Sequence, residues 1–175
     1  MVLGISCSQD VRLDNVNGPA VIPAVTPIQA VERPSDWKQF EMGQFTVSGP
    51  KDMKIKKWQG DDSNGYTLEN KEFLFDVDIS MYNAGENQIH SFQYTTGTII
   101  IDGKFLKYTK TDLNKPAANA AVNADGSKAK PIEKNIMIEV RFPEEEAIVS
   151  VNYSNESSIQ SAMAMLQSIT LNSKK

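Results

Sequence analysis

Few residues of this chain can do chemistry, and they are scattered. Asp76 and Asp78 stand two apart in Phe73-Leu-Phe-Asp-Val-Asp-Ile-Ser-Met-Tyr82, so on an extended strand their carboxylates project from one face. Paired carboxylates can hold a metal or divide acid and base roles. The same spacing occurs on any solvated sheet face, which is the role expected here. Asp61-Asp-Ser-Asn-Gly65 offers oxygen ligands beside a glycine. A calcium hand needs glycine sixth and glutamate twelfth, and setting Gly65 sixth puts Gly60 first and Lys71 twelfth, so the segment reads as a turn. His90 is the only histidine and has no phased serine or cysteine nucleophile, while Asp102-Gly103 and Asp125-Gly126 are turn signals rather than phosphate loops. No catalytic residue, metal site or cofactor is therefore expected.

A basic run, Lys51, Lys54, Lys56 and Lys57, ends in Trp58. Such a run is most often a solvated edge, but beside an anionic bilayer or a docking partner it becomes a contact strip. Trp58 is expected half buried, with its ring packed and its N–H outward. Lys54, Lys56, Lys57, Trp58, Tyr66 and Tyr82 form the candidate partner or ligand surface. The aromatic members, Trp58, Tyr66 and Tyr82, would alternatively suit a small ligand or a glycan.

These side chains must be positioned by a modest domain. The chain has 175 residues, 40% hydrophobic and 23% charged, enough for one domain plus a tail. With 18 basic against 22 acidic residues the net charge is −4, which argues against nucleic acid as a partner. One cysteine excludes an internal disulfide, and no apolar run reaches the roughly 18 to 20 residues of a membrane span.

The foldable pattern runs from Trp37 to Asn172. Apolar residues alternate on both sides of Gly43 in Trp37–Val47, as two short strands or one bent strand, closed by Pro50. Residues 51–58 fit a helical turn or an irregular edge. Phe73, Phe75, Val77, Ile79 and Met81 share the buried parity of a strand whose other face is largely wet. Following a polar turn at Asn83–Gln88, strands are expected at 91–96, 97–101, 104–111, 132–142 and 147–153, with a two-residue turn at Asp102-Gly103 and the Pro143–Glu146 turn between the last two. The segment 112–131, rich in Ala, Asn and Lys, is expected to be a long mobile loop. Ser157-Ser-Ile-Gln160 looks like a capping box, and Ile159, Ala162, Met163, Leu166 and Ile169 recur at helical spacing. The expected fold is α+β: a mainly antiparallel sheet of six to seven strands with a C-terminal amphipathic helix packed on it.

The amino terminus carries an address. Residues 1–6, Met-Val-Leu-Gly-Ile-Ser, are uncharged and mostly apolar or small, and Cys7 follows directly. They read as the remnant of a lipoprotein signal peptide, lacking its positive region and full apolar stretch, with Cys7 as the lipidated first mature residue. An inert tail containing a cysteine is the alternative. Residues 7–36 carry Pro19, Pro23, Pro27 and Pro34, which forbid regular helix and make a tether. About 28 flexible residues span roughly 30 Å.

The order of elements resembles the small envelope lipoproteins of the PsbP/DcrB-like α/β class. The likeness covers about Trp37 to Leu171: a strand pair ending in Pro50, the Asp-Asp-Ser loop between Gly60 and Gly65, the Phe73–Tyr82 strand, the Ile-Asp-Gly-Lys hairpin, two late strands, and a terminal helix with Met-Leu-Gln-Ser-Ile. It implies a fold and an envelope setting without catalytic residues. The expected function is a non-enzymatic, lipid-anchored envelope protein that binds another envelope protein, as an assembly factor or a toxin-neutralising inhibitor. Ser8 after Cys7 favours the periplasmic face of the outer membrane; a cytoplasmic location is the alternative.

Overall fold

Alternation of apolar and polar residues builds the main layer. In the computed structural model, which describes residues 30–80, 92–116 and 133–172, seven strands form one antiparallel sheet. They are β3 (Lys54–Gln59), β4 (Ser63–Glu69), β5 (Phe73–Ser80), β6 (Phe92–Ile101), β7 (Lys104–Pro116), β8 (Ile136–Phe142) and β9 (Ala147–Tyr153), in the order β3-β4-β5-β9-β8-β7-β6. A second antiparallel sheet joins β1 (Lys38–Met42), β2 (Phe45–Gly49) and β10 (Thr170–Leu171) in the order β1-β2-β10. One α-helix, α1 (Ile159–Gln167), packs against β9, β6 and β2. The protein is an α+β fold.

Both sheets and α1 share one core. Phe73, Phe75 and Val77 of β5, Val149 and Val151 of β9, Ile138 and Val140 of β8, and Ile99 and Ile101 of β6 are fully buried on the inner face of the large sheet. They meet α1 and the small sheet's Met42, Phe45 and Val47. The rings of Phe45 and Phe142 meet edge to face, with centroids 5.3 Å apart. Five successive helix residues, Ala162–Leu166, are buried. The helical stripe expected from the sequence left out Ala164 and Met165, which are covered because the small sheet closes over the second side of α1. A helix enclosed on this much of its girth keeps only a narrow polar face, here Gln160, Ser161 and Gln167. Ser48 and Ser168 lock the contact: the Ser48 N–H donates to Ser168 Oγ at 2.8 Å, and Ser168 Oγ donates to the Met165 carbonyl at 2.7 Å.

Several expectations are sharpened or corrected. The Trp37–Val47 segment is two strands joined at Gly43, whose φ of +68° only glycine adopts without strain. Residues 54–59 are neither helical turn nor irregular but the edge strand β3. Asp61–Gly65 is a turn only at its start, because Ser63 to Gly65 already pair with β5 as part of β4, a strand not expected from the sequence. The Asp102-Gly103 turn is present, with φ of 49° and 75°, the left-handed pair of a two-residue hairpin. The first residues of the expected 112–131 loop instead extend β7 to Pro116. The capping box does not form: a 3-10 turn at Glu156–Ser158 leads into α1 and Ser158 makes no capping bond. Its hydroxyl is committed elsewhere, donating to Glu72 Oε1 at 2.6 Å. Packing begins upstream of Trp37, where the Val31 N–H donates to Gln167 Oε1 at 2.8 Å. Cys7, the 83–88 turn and the remainder of the 112–131 segment lie outside the described residues.

Two aromatic side chains lie over glycines in the opposing strand. Trp58 pairs with Gly65 and Tyr108 with Gly97, and each ring occupies the space a Cβ would need. A Cβ on Gly65 would stand 2.1 Å from the Val77 carbonyl oxygen and 2.5 Å from Trp58 Cζ2. At Gly97 the three nearest atoms all belong to the Tyr108 side chain, the first at 2.4 Å. Gly65→Ala is therefore expected to lower unfolding free energy by about 3 kcal/mol, and Gly97→Ala by less because a ring can swing where a backbone carbonyl cannot. Urea denaturation of both variants checks the order; equal losses would show that the carbonyl contact does not govern.

Candidate functional site

The register turns the outer face of the large sheet into a map. Opposed residues in antiparallel strands share a face, so Lys56, Thr67, Asp76, Ser150, Glu139, Thr109 and Thr96 form one polar row across all seven strands. A parallel row holds Trp58, Gly65, Asp78, Ile148 and Arg141. Among the described residues no helix or strand packs on this face, since α1 and the small sheet both lie against the other one.

Sequence and structure agree that Asp76 and Asp78 share a face, but that face is not wet around them. Both are half buried, and desolvation raises the pKa of each above the ordinary aspartate value. At Asp76 the Glu69 and Asp78 charges raise it further, while Thr67, whose hydroxyl donates to Asp76 Oδ1 at 2.6 Å, and Lys134 oppose the shift. Asp78 Oδ1, Thr111 Oγ1 and Asn152 Oδ1 are shielded from water and have no hydrogen-bond partner among the described residues. Glu139 accepts a bond from Arg141 Nε at 3.2 Å. The centre of the face is thus acidic and partly dehydrated, and its β3 margin is basic.

The candidate surface residues divide between the two faces. Lys54, Lys56 and Trp58 project outward, and Lys56 is paired with Glu69. Lys57 and Tyr66 project inward, with the Lys57 ammonium 5.9 Å from the Tyr66 ring centroid. Tyr66 packs its ring on Gly43 of the β1-β2 hairpin. Trp58 and Tyr66 therefore cannot form one stacking platform. Trp58 is half buried, as expected, but against Gly65. Tyr82, His90 and Cys7 lie outside the described residues. An open depression of about 330 Å³ at the β3-β4 end is lined by Asp52, Lys54, Glu69, Asn70 and Lys71. Glu139, Ser150 and Asn152 were not singled out from the sequence, although their alternation with Ile138, Val149 and Val151 already marks them as outward.

Among the described residues, no three His, Cys, Asp or Glu side chains converge as a metal site requires, and no helix is long and apolar enough to cross a membrane. The fold defines the class of the protein as α+β with two antiparallel sheets. Comparison with protein-family models, curated proteins and solved structures finds no match to this chain.

The raised pKa values have a stability consequence. A carboxyl whose pKa is higher folded than unfolded contributes stability below its ordinary value, 3.8 for Asp76, and loses it as pH rises through the raised value. Asp76→Asn keeps an acceptor for Thr67 and removes the charge. It is expected to be at least as stable as the parent at pH 7, with that advantage fading toward pH 3. Denaturant midpoints at the two pH values test this, and a variant weaker at pH 7 than at pH 3, relative to the parent, would contradict it.

Proposed function

We propose that the protein is a non-enzymatic, lipid-anchored component of the bacterial cell envelope whose α+β domain binds another envelope protein through the outer face of its large sheet. The carrying observation is the state of that face: it is uncovered among the described residues, yet Asp76 and Asp78 are already partly stripped of water. Covering groups that have already lost part of their hydration adds a smaller penalty, and a partner offering donors gains charge-assisted bonds. The complementary surface is basic opposite Asp76, Asp78 and Glu139 and acidic opposite Lys54 and Lys56. An assembly factor and a neutralising inhibitor of a toxin both bind in this way.

Anchoring rests on the Leu3-Gly-Ile-Ser-Cys7 segment, on the prolines between Cys7 and Val31, and on the resemblance to PsbP/DcrB-like lipoproteins. Cys7 is the proposed lipid site, and the periplasmic face of the outer membrane the proposed address.

Two measurements follow. Cells expressing the gene from its own locus, fed a clickable fatty acid, are expected to label the parent protein and not Cys7→Ala; equal labelling of both, or of neither, removes the anchor. Cross-linking in intact envelopes is expected to yield an adduct that Glu139→Arg or Ser150→Arg reduces by about tenfold, whereas Lys51→Ala leaves it unchanged. An adduct insensitive to both outer-face variants refutes this face as the interface.

A further inference from the structure

Among the described residues, the large sheet ends in two unlike edges. At one, β3 carries Lys54, Lys56 and Lys57 within six residues, all exposed. Charged side chains, lysine above all, are a common means of blocking a sheet edge against further pairing. At the other, β6 runs ten residues as Phe-Gln-Tyr-Thr-Thr-Gly-Thr-Ile-Ile-Ile, with no charge and no proline. Its single register irregularity lies at the start, between Phe92 and Gln93, leaving Tyr94 to Ile101 in unbroken register with β7. Large apolar groups stand exposed beside it, Ile100 at 38% and its cross-strand neighbour Phe105 at 69%.

We propose that β6 pairs antiparallel with β6 of a second copy of this chain, joining two seven-stranded sheets into one about a two-fold axis normal to the sheet. Symmetry restricts the register. Such an axis keeps the outer face outward, so opposed residues must have the same parity and the axis must pass through a residue rather than between two. Centred on Gly97, it sets Thr96 opposite Thr98 of the copy and Ile100 opposite Tyr94 of the copy. Ile100 and Phe105 then continue onto an aromatic ring, and the face gains an apolar cluster on each side of the axis.

Charge favours this occupant. Near the edge, Lys104 is neutralised by Glu144 and Glu145 at 2.6 and 3.0 Å, and Lys110 by Glu156 at 2.7 Å. Lys107 lies opposite Thr98, one strand in, so three strand spacings, about 14 Å, separate its backbone from that of its copy. That exceeds the screening length of about 8 Å at physiological ionic strength. The same operation on β3 centred at Lys56 would place Lys56, with its Glu69 partner, against itself and Lys57 against Ile55. Of the two edges, β6 is thus the one that brings no cations of its own strand together.

The test uses the full chain in sedimentation equilibrium. The parent is expected to dimerise, while Thr96→Lys/Thr98→Lys and Thr96→Glu/Thr98→Glu each weaken association at least about tenfold through opposed like charges, and an equimolar mixture of the two restores it as a heterodimer. A second measurement needs no variant: backbone amides of residues 94–101 are expected to exchange more slowly as concentration rises from about 1 to about 100 µM. A parent that stays monomeric with exchange independent of concentration overturns the proposal. So does a dimer that neither charged variant weakens.

Discussion

Everything in this fold depends on α1 being enclosed. The helix is short, and from Ala162 to Leu166 no residue reaches solvent, so it has no independent existence as an amphipathic surface element. It is held because the large sheet packs on it through β9 and β6 while the small sheet packs on it through β2. Remove either sheet and the helix loses a wall. Remove the helix and the core shared by the two sheets loses its centre, keeping direct contacts such as Phe45 on Phe142. Isolated helices of this length are marginal in water, so its stability comes from packing.

This enclosure also explains the polarity of the rest. With α1 and the small sheet on one face of the large sheet, its central strands alternate: β8 and β9 bury every second residue, and β5 does so as far as Val77. The outward residues are released from packing and can vary toward recognition. That is why the half-buried carboxylates and the outward lysines Lys54 and Lys56 lie on one side, and why the two sheet edges can differ so sharply in charge.

Much of the fold was legible in the sequence, for the same reason. Wherever a strand is buried on one face, as in Phe73–Ile79, Ile136–Phe142 or Ala147–Tyr153, period-two alternation declares it. The Asp102-Gly103 turn is equally plain, because few residue pairs accept two successive left-handed conformations. What escaped was set by partners rather than by local pattern. β4 reads as Ser-Asn-Gly-Tyr-Thr-Leu-Glu, with Leu68 its one fully buried apolar side chain, and only its neighbours β3 and β5 make it a strand. β10 is two residues long and exists because β2 offers an edge. The second buried side of α1 was illegible because Ala164 and Met165 become core only once the small sheet folds over them. At the candidate site, the shared direction of Asp76 and Asp78 could be read from spacing, but their dehydration could not. It depends on strands β4 and β9 standing on either side, which is a property of the sheet order.

The position of α1 along the chain has a consequence for biosynthesis. Every strand of the large sheet, and both long strands of the small one, precede Ile159. A ribosome therefore extrudes nine strands with apolar faces before the helix that covers them has been made, and β10 pairs back to β2 across more than a hundred residues. Long-range closures of this kind are slow relative to local ones, and chains that wait with apolar strands exposed are clients for chaperones. The native state is thus completed only after α1 has been made, and until then the nascent polypeptide stays in a form that can still be threaded or handed on.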